Sequence, residues 1–510
     1  MTASEQYIKP ILDARVYDVA RQTRLHPARL LSEKLENSIL LKREDEQDIF
    51  SFKCRGAFNR LFKLSKTCKL EGVVAASAGN HAQGVALAAS KLGIRSIIVM
   101  PVTTPQIKVD AVIALGGKAV LFGDDFNAAF THAVALGEEQ NYPLIHPFDD
   151  PDTIAGQGTI GVEICQQHPG DMDYLFLPIG GGGLAAGVSA YMKYLRPDVR
   201  VIGVEPVDAA CMHAAMQAGK TVELDQVGLF ADGVAVRRAG EETFRVCRET
   251  LDDIVLVTVD EMSSAIKDIF NETRTLTEPA GALAVAGVKK YIKEKSLQGK
   301  TFVAINTGAN INFDRLRHVA ERAELGETRE ALFAVSIPET PGSFLRFCKS
   351  LGRRSVTEFN YRFQAGKLAE IFVGVEIDGG ATRRMEFQKS LEAAGYSVLD
   401  MSRNDTAKLH IRHMIGGRAD FSASEELEER LYRFRFPERP GALVDFLTRM
   451  GEEWNITLFH YRNHGAAYGR VLVGIQIPDD CEQDFQNFLD QLGFSSEEES
   501  GNPAFKRFLN

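Results

Sequence analysis

Short apolar runs alternate with longer helical patterns from the start of the chain to about residue 320. The runs are rich in Val, Ile and Ala, and between them apolar residues recur every three or four positions, as in Ala82–Lys91 and Ile107–Leu115. This alternation predicts an α/β domain with a largely parallel sheet. The clearest predicted strands are Gly72–Ala75, Ser96–Val99, Ala119–Leu121, Tyr174–Leu177, Val199–Val204 and Thr301–Ile305.

A second pattern begins after Arg322 and occurs twice. Each copy starts with a predicted strand that ends in proline, continues through a Pro-Gly turn into a helical pattern, and then contains two more strands and a helix. Matching segments lie 99 or 100 residues apart, so this part of the chain is a tandem duplication of a small α+β fold. The matched strands are Ala331–Pro338 with Arg430–Pro437, Val356–Arg362 with Ile456–Arg462, and Phe372–Ile377 with Leu472–Ile477.

The two patterns together predict three domains. The α/β pattern occupies residues 1–325, the first copy of the repeat 326–420 and the second copy 421–510. Between the copies, Gly416-Gly417-Arg418 and the acidic run Glu425–Glu429 predict a linker. A chain of 510 residues is also too long for a single hydrophobic core, which favours several domains.

Composition excludes some classes of protein. The chain has 59 basic and 69 acidic residues, and its net charge of −10 argues against a general nucleic-acid-binding protein. No apolar run reaches the roughly 18 residues that a transmembrane helix needs, and the first residues lack the pattern of a signal peptide. The seven cysteines are scattered without a Cys-x-x-Cys pair, so we expect no metal and a cytoplasmic protein.

Four motifs carry candidate chemistry. Lys53 lies in Ser-Phe-Lys-Cys-Arg-Gly-Ala-Phe-Asn, Ser77–Gly84 is a loop of small and polar residues, Gly180–Gly183 is a polyglycine run, and Thr307–Asn310 reads Thr-Gly-Ala-Asn. A lysine amine can condense with the aldehyde of pyridoxal 5′-phosphate, whose ring then withdraws electrons. Glycine-rich loops that open a helix offer backbone N–H groups to a phosphate. The four motifs therefore predict a pyridoxal-phosphate site.

The polyglycine run also fits a rival interpretation. Gly181-x-Gly183-x-x-Ala186 matches the dinucleotide fingerprint, and Glu205 ends a predicted strand about twenty residues later. A nicotinamide enzyme is therefore an alternative on this stretch alone. It leaves Lys53 and the Ser77–Gly84 loop unexplained, whereas the pyridoxal-phosphate interpretation uses both.

The order and spacing of these motifs resemble those of the fold type II pyridoxal-phosphate enzymes. More narrowly, the whole chain resembles the biosynthetic threonine deaminases, also called threonine dehydratases or threonine ammonia-lyases. The resemblance implies a two-lobed α/β catalytic domain with open, largely parallel sheets, followed by two tandem α+β ACT-like regulatory domains. It also implies deamination of L-threonine to 2-oxobutanoate and ammonia, inhibition by isoleucine that valine opposes, and a homotetramer.

The resemblance implies roles for single residues as well. Lys53 is the catalytic residue and binds the cofactor, Asn80 bonds the phenolic oxygen of the ring, and Thr307, where the family usually has serine, faces the ring nitrogen. A hydroxyl there favours elimination over transamination, because it stabilises a protonated ring less than a carboxylate would. The polyglycine loop, Gly180, Gly181, Gly182, Gly183 and Leu184, binds the phosphate, and the substrate carboxylate meets Ser77, Ala78, Gly79, Asn80 and His81.

Several residues and rivals stay open at this point. Glu278 belongs to a Glu-Pro-Ala-Gly motif that resembles a family loop near the active site, but a plain turn is an equally good interpretation, so it is left out of the catalytic residues. Candidate effector-binding residues are the strand aromatics Phe359, Tyr361, Phe459 and Tyr461. Rival activities are serine racemase, catabolic serine/threonine dehydratase, threonine synthase and cysteine synthase, against which the C-terminal repeat argues. An amino-acid sensor with an inactive catalytic domain is a further alternative, and the presence of all four motifs argues against it.

Overall fold

The structure divides into two compact units, unit 1 (Met1–Gly326) and unit 2 (Glu327–Asn510). No helix in the described part of the chain is long and apolar enough to cross a lipid bilayer. The computed structural model describes residues 2–124, 126–316, 319–320, 322–323, 330–352, 354–362, 368–377, 380–404, 407, 428–437, 442–450, 454–462, 468–477, 481–492 and 494–502.

Unit 1 alternates strands and helices, as the sequence pattern predicts. Its strands are β1 (Leu25–Pro27), β2 (Ser38–Arg43), β3 (Gly72–Ala76), β4 (Arg95–Met100), β5 (Lys118–Leu121), β6 (Tyr174–Pro178), β7 (Arg200–Pro206), β8 (Asp253–Val257) and β9 (Thr301–Asn306). Its helices are α1 (Ala3–Leu12), α2 (Arg29–Leu35), α3 (Lys53–Thr67), α4 (Asn80–Leu92), α5 (Gln106–Ala114), α6 (Phe126–Gln140), α7 (Pro151–Gln167), α8 (Gly183–Leu195), α9 (Cys211–Ala218), α10 (Glu241–Thr250), α11 (Val259–Thr273) and α12 (Pro279–Lys295).

These strands form two sheets. The larger sheet has the order β1-β2-β9-β6-β7-β8, and all its neighbours are parallel except β1 and β2. The smaller sheet, β3-β4-β5, is parallel throughout. The prediction of a two-lobed α/β fold with open, largely parallel sheets is thus confirmed for unit 1.

Burial explains why the apolar runs become strands. All five residues of β3 are buried, which is typical of a parallel strand covered by helices on both faces. Helix α4 follows it and ends at Gly93, whose φ of 67° lets the chain leave the helix in the left-handed conformation. Loops at the carboxyl ends of parallel strands gather at one edge of a sheet, where ligands bind in such folds.

Unit 2 contains one eight-stranded antiparallel sheet. Its order is β13-β10-β12-β11-β15-β16-β14-β17, with the strands of the first copy on one side and those of the second copy on the other. The strands are β10 (Glu330–Pro338), β11 (Val356–Arg362), β12 (Leu368–Glu376), β13 (Ser397–Asp400), β14 (Glu428–Pro437), β15 (Asn455–Arg462), β16 (Tyr468–Ile477) and β17 (Ser495–Glu498). The helices are α13 (Ser343–Ser350), α14 (Gly380–Ala393), α15 (Ala442–Met450) and α16 (Glu482–Leu492).

The two copies join through equivalent strands. In the β11–β15 pair, Asn360 lies opposite His460, Phe359 opposite Tyr461 and Tyr361 opposite Phe459. Since these residues are equivalent at an offset of 100 in the sequence, the register is symmetric about the Asn360–His460 pair. One apolar core extends across both copies.

One sequence prediction in unit 2 is wrong. The acidic run Glu425–Glu429 was expected to be linker, but β14 already begins at Glu428, and Glu429 pairs with Gln476 of β16. Acidic residues are accepted in this strand because Glu429 forms a buried ion pair with Arg362, at 2.5 Å. The predicted linker residues Gly416–Arg418 and the second Pro-Gly turn lie outside the described residues.

Candidate active site

Lys53 is held at the start of a helix by a short pairing of two loops. It is the first residue of α3, and the preceding Ser51 forms an antiparallel bridge with Gly308. The Phe52 N–H donates to the Thr307 carbonyl at 3.3 Å, and the Ala309 N–H donates to the Phe50 carbonyl at 2.9 Å. The Thr307–Asn310 loop therefore lies directly beside Lys53, although 250 residues separate them in sequence.

A buried group of charges anchors α3 from behind. The Arg55 guanidinium, fully buried, pairs with Glu44 at 2.8 Å and with Glu163 at 2.6 Å, and Lys42 also pairs with Glu163 at 2.6 Å. Two cations and two carboxylates balance in charge, which a buried cluster requires. The cluster fixes the α3 backbone two residues after Lys53.

The Lys53 side chain is partly buried. Its Nζ donates to the Pro147 carbonyl at 3.0 Å and lies 5.2 Å from the centre of the Phe52 ring. Burial lowers the pKa of the Lys53 amine to about 8, although the negative charge of Glu278 opposes the shift. A substantial fraction of the amine is consequently neutral near pH 8, as nucleophilic or basic chemistry requires.

The Ser77–His81 loop connects β3 to α4 and lies against the same helix start. The Gly79 N–H donates to the Ser77 hydroxyl at 3.2 Å, and the Ser77 N–H donates to the Val99 carbonyl at 3.1 Å. Gly84, one turn into α4, leaves no room for a side chain, because a Cβ there would lie 2.9 Å from the Lys53 carbonyl oxygen. This close approach brings the loop to Lys53.

Asn80 is bonded at both ends of its amide. Its Nδ2 donates to Glu278 Oε1 at 2.7 Å, and its Oδ1 accepts from Asn310 Nδ2 at 2.7 Å. Glu278 is buried, and burial raises the pKa of its carboxyl to about 7, with a further contribution from the nearby Asp232. The Glu278 carboxylate, which sequence reasoning left outside the site, therefore lies at its centre.

His81 is a neutral structural residue. Its Nε2 donates to the Ile145 carbonyl at 2.9 Å, and its ring is buried. Burial, together with the charge of Lys53, lowers the pKa of His81 to about 3. The ring is therefore neutral at ordinary pH, and its single N–H is used by the Ile145 carbonyl, which agrees with its interpretation as a loop residue rather than an acid or base.

The polyglycine loop lies against a segment that sequence analysis missed. This segment, 146–150, begins with His146 and supplies the Pro147 carbonyl that accepts from Lys53. A Cβ on Gly181 would lie 2.3 Å from the Phe148 ring, so only glycine permits this packing. The polyglycine loop thus contacts Phe148, the residue after Pro147, whose carbonyl accepts from Lys53. The site therefore brings together Lys53, Asn80, Thr307 and the polyglycine loop.

The remaining residues of this segment cap helices. The Asp149 carboxylate accepts the Glu242 N–H of α10 at 3.0 Å, and Asp150 accepts two N–H groups at the start of α7. The Asp-Pro pair at 150–151 is a recognisable helix-start signal. It could have drawn attention to the segment.

The predicted effector residues have a different setting. Phe359, Tyr361, Phe459 and Tyr461 are all buried in the core of unit 2. The rings of Phe359 and Phe459 meet edge to face at 5.3 Å across the β11–β15 pair, and the Tyr361 hydroxyl donates to the Glu339 carboxylate at 2.7 Å. These side chains pack the two copies together.

Two family models match the chain. A family model described as "Pyridoxal-phosphate dependent enzyme" matches residues 16–308. A second, "C-terminal regulatory domain of Threonine dehydratase", matches residues 321–411 and again 420–509. The chain belongs to the threonine dehydratase family.

Relatives in the threonine dehydratase family match the chain from end to end. The chain is 53% identical to "L-threonine dehydratase biosynthetic IlvA" of Burkholderia multivorans, covering all of both chains. It is 51% identical to the protein of that name from Escherichia coli, covering 99% of this chain and 97% of the relative. The chloroplastic biosynthetic threonine dehydratase of Arabidopsis thaliana is 47% identical, with 99% and 84% covered.

Solved structures related to the family resemble part of the chain. The processed form of threonine deaminase isoform 2 from Solanum lycopersicum has a TM-score of 0.61 and 49% identity, covering 63% of this chain and 93% of that one. Maize serine racemase has a TM-score of 0.57 and 30% identity, covering 61% and 96%. The similarity to serine racemase therefore covers less of the chain than the similarity to the full-length threonine dehydratases.

The residues at the site fit the cofactor that the threonine dehydratase family implies. Three helices of unit 1 have a side-chain cap, from Thr2 on α1, Asp150 on α7 and Thr258 on α11. Helices α4 and α8, which start at the site, have glycine at the N-cap (Gly79 and Gly182) and no side-chain cap, as does α10 at Gly240. Uncapped N-termini leave N–H groups and a partial positive charge for an anion such as a phosphate or a carboxylate.

Proposed function

We propose that this chain is a pyridoxal-phosphate-dependent threonine ammonia-lyase that converts L-threonine to 2-oxobutanoate and ammonia, the committed step of isoleucine biosynthesis. The observation that carries the proposal is the Lys53 amine, with its pKa near 8, at the convergence of the Asn80, Thr307 and polyglycine loops. The full-length identity to biosynthetic L-threonine dehydratases supports the choice of substrate.

Each part of the site would hold one part of the cofactor. Lys53 would bind the aldehyde, the Gly180–Leu184 loop the phosphate, Asn80 the phenolic oxygen and Thr307 the ring nitrogen. When bound, pyridoxal phosphate supplies an electron-withdrawing ring that weakens the Cα–H bond of an attached amino acid.

The protein's own groups position the substrate and move its proton. The N–H groups of Ser77–His81, at the uncapped start of α4, would hold the threonine carboxylate. The amino group of the substrate would replace Lys53 at the aldehyde, and the freed, neutral Lys53 Nζ would then take the Cα proton, because its lowered pKa leaves a lone pair available near neutral pH. The β-hydroxyl would leave as water with a proton returned by the Lys53 ammonium, and renewed attachment of Lys53 to the aldehyde would release 2-aminocrotonate. This product tautomerises and hydrolyses to 2-oxobutanoate and ammonia.

Regulation would belong to residues 326–420 and 421–510. We propose that isoleucine inhibits the enzyme, that valine opposes it, and that the active form is a cytoplasmic homotetramer. Isoleucine must then bind the less active state more tightly, and a tenfold preference corresponds to about 1.4 kcal/mol of coupling. The repeated regulatory-domain match supports this assignment.

The first experiment identifies the reaction. The purified protein should show a visible absorption band that changes when L-threonine is added, and 2-oxobutanoate and ammonia should form in equal amounts. L-Serine is assayed in parallel for pyruvate and for D-serine, because maize serine racemase shares the catalytic fold. Faster formation of D-serine than of 2-oxobutanoate would refute the proposal and favour a racemase.

The second experiment locates the regulation. A shortened chain that ends at Gly326 should retain cofactor and threonine turnover but lose inhibition by isoleucine. Because Phe359 and Tyr361 are core residues, their substitution would disturb the whole of unit 2 and would not by itself locate the effector site. Unchanged inhibition of the shortened chain would place the effector site in unit 1.

A further inference from the structure

We propose that Glu278 is a positioning residue: together with Asn310, it holds the Asn80 side chain in the single orientation that presents an amide N–H to the cofactor. The inference rests on the function proposed above, since it assumes that Asn80 contacts the cofactor ring. It assigns a role to a carboxylate that the proposed mechanism does not otherwise use.

The first observation is that the two ends of the Asn80 amide have partners of opposite kind. The ionised Glu278 carboxylate has no proton to donate, so it can only accept a hydrogen bond. Its Oε1 lies 2.7 Å from Asn80 Nδ2. Asn310 Nδ2 can only donate, and it lies 2.7 Å from Asn80 Oδ1. A flipped amide would place oxygen against oxygen and N–H against N–H, so both contacts would become repulsive.

The second observation concerns the donors that remain. The Asn80 amide has two N–H groups, and the bond to Glu278 uses one of them. Asn80 is only half-buried, and it is the first residue of α4, next to the substrate loop. The second N–H is therefore fixed in direction, as a donor to a ring oxygen must be.

The third observation is that Glu278 and Asn310 are themselves immobilised. The Glu278 N–H donates to the Gly308 carbonyl at 3.0 Å, so the backbone of Glu278 is tied to the loop that contains Asn310. Asn310 Nδ2 has a second acceptor in the Ile49 carbonyl at 2.9 Å. The supports of Asn80 thus belong to the same loop pairing that places Lys53.

Two glycines lie close to the Glu278 carboxylate. A Cβ on Gly308 would lie 2.8 Å from Glu278 Oε1, and a Cβ on Gly233 would lie 3.4 Å from the same atom. Both positions are glycine, so the two glycines provide the space that the carboxylate occupies. A buried carboxylate is costly unless it is hydrogen-bonded, and here it accepts from Asn80 Nδ2.

The test measures cofactor affinity in a double-mutant cycle, without any amino acid. The dissociation constant of pyridoxal phosphate is determined by absorbance titration of the cofactor-free wild type, Glu278→Ala, Asn80→Ala and the double variant. We expect Glu278→Ala to weaken binding at least tenfold in the wild type but less than twofold when Asn80 is already alanine. Effects that simply multiply, or an unchanged constant in Glu278→Ala, would overturn the proposal.

Two further variants separate orientation from charge and from folding. Glu278→Gln retains an oxygen that can accept from Asn80, so its binding constant should remain within threefold of the wild-type value. A loss as large as that of Glu278→Ala would show that the negative charge matters instead, which overturns the proposal. Should Glu278→Ala not fold, Asn310→Ala removes the other support and is expected to weaken binding threefold or more, and an unchanged constant there would equally overturn the proposal.

The matched control is Asp268→Asn. Asp268 is another buried carboxylate of unit 1, but it pairs with Lys34 and Lys289 away from the Asn80 amide. Its substitution should leave the cofactor constant unchanged, and a loss equal to that of Glu278→Ala would refute a specific role. Because no threonine is present, the cycle remains decisive even if the protein acts on a different amino acid, and a wild type that binds no cofactor would refute both proposals.

Discussion

Units 1 and 2 differ in what they bury, although unit 2 also contains the buried Arg362–Glu429 ion pair. In unit 1, ionisable groups such as Lys42, Arg55, Glu163 and Glu278 are buried around the residues that converge on Lys53. In unit 2, the core shared by the two copies consists mainly of aliphatic and aromatic side chains, and rings pack edge to face across the copies. Buried ionisable groups cost stability but have shifted pKa values, whereas aromatic packing provides stability and no chemistry.

Positive φ angles in residues other than glycine are also confined to unit 1 among the described residues. Among the described residues, those other than glycine with positive φ are Glu36, Phe50, Asn141, Arg274 and Ser296, all in unit 1. Phe50 lies three residues before Lys53 with φ at 55°. Such conformations cost energy and are retained where neighbouring structure, often at a functional site, enforces them. Glu36, Arg274 and Ser296 end helices α2, α11 and α12, where a left-handed residue is common, so Phe50 is the residue whose strain bears on the candidate site. Single substitutions can test how each unit contributes to chemistry and to stability.

Loss of the lysine should have the largest effect on catalysis and almost none on folding. We expect Lys53→Ala to lower threonine turnover about 10⁴-fold or more, because it removes both the covalent attachment and the proton acceptor. Burial disfavours the Lys53 ammonium, so the melting temperature of the cofactor-free variant should be equal to or above that of the wild type. Steady-state 2-oxobutanoate formation and calorimetry measure the two effects.

The control for this variant is Lys66→Ala. Lys66 is an exposed lysine near the end of the same helix, α3, and its loss should change neither activity nor stability appreciably. Turnover by Lys53→Ala close to that of Lys66→Ala would contradict the assignment of Lys53.

Loss of a core aromatic residue in unit 2 should instead lower stability strongly and leave catalysis nearly unchanged. Phe359→Ala is expected to destabilise unit 2 by about 3–5 kcal/mol, because it opens a cavity where Phe359 meets Phe459 and Phe344. Hydrogen exchange of β11 and β15 measures this loss, while threonine turnover without effectors should persist. Phe459 is the equivalent residue of the second copy, and Phe459→Ala should lower the free energy of unfolding by a similar amount. A much smaller loss of stability in both variants would mean that the two copies do not share a single core.

The pH dependence of cofactor capture should reveal the lowered pKa of the Lys53 amine. Only neutral Lys53 can condense with an aldehyde, and with a pKa of about 8 its neutral fraction rises about fivefold from pH 7 to pH 8. The rate at which the cofactor-free protein binds pyridoxal phosphate should rise with this neutral fraction and approach a plateau above pH 9. An ordinary exposed lysine, with a pKa near 10.4, would instead give a rate that still increases tenfold per pH unit at pH 9.

The smallest expected effect tests the strain at Phe50. Phe50→Gly should stabilise unit 1 by about 0.5–1 kcal/mol, since glycine adopts positive φ without the steric cost that Phe50 incurs. Phe313→Gly is the matched control: Phe313 is also exposed but has no positive φ, so the same change should destabilise. An equal loss of stability in both variants would show that Phe50 is not strained.

Apolar runs made the strands of unit 1 predictable, and the limits of this approach have a physical cause. Runs such as Thr301–Ile305 were identified because their residues are buried on both faces. Strand β2 was not predicted, since its last residues, Lys42 and Arg43, interrupt the apolar pattern. They are buried nonetheless, because Asp45 neutralises Arg43 from two residues away and Glu163 neutralises Lys42 from a distant part of the sequence.

The candidate site shows the same division between local and distant information. Motifs predicted which loops belong to it, since Lys53, Asn80 and Gly180–Gly183 each lie in a distinctive stretch of sequence. Glu278 lies before a helix-starting proline, where a plain turn fits equally well, and only its contact with Asn80 distinguishes it. The strand aromatics of unit 2 were ambiguous for a similar reason, because alternation identifies a buried face without telling a core from a binding site.

The symmetric register of β11 and β15 has a consequence for how the repeat can exist at all. Two equivalent strands that pair with each other about the Asn360–His460 position form an isologous contact, the arrangement of a twofold homodimer within a single chain. A chain cut to one copy would expose β11, with Phe359 and its unpaired backbone groups, as an open edge. Such a fragment should associate with a second fragment through that edge. Covalent duplication thus replaces an encounter between two molecules by a contact whose partner is always present.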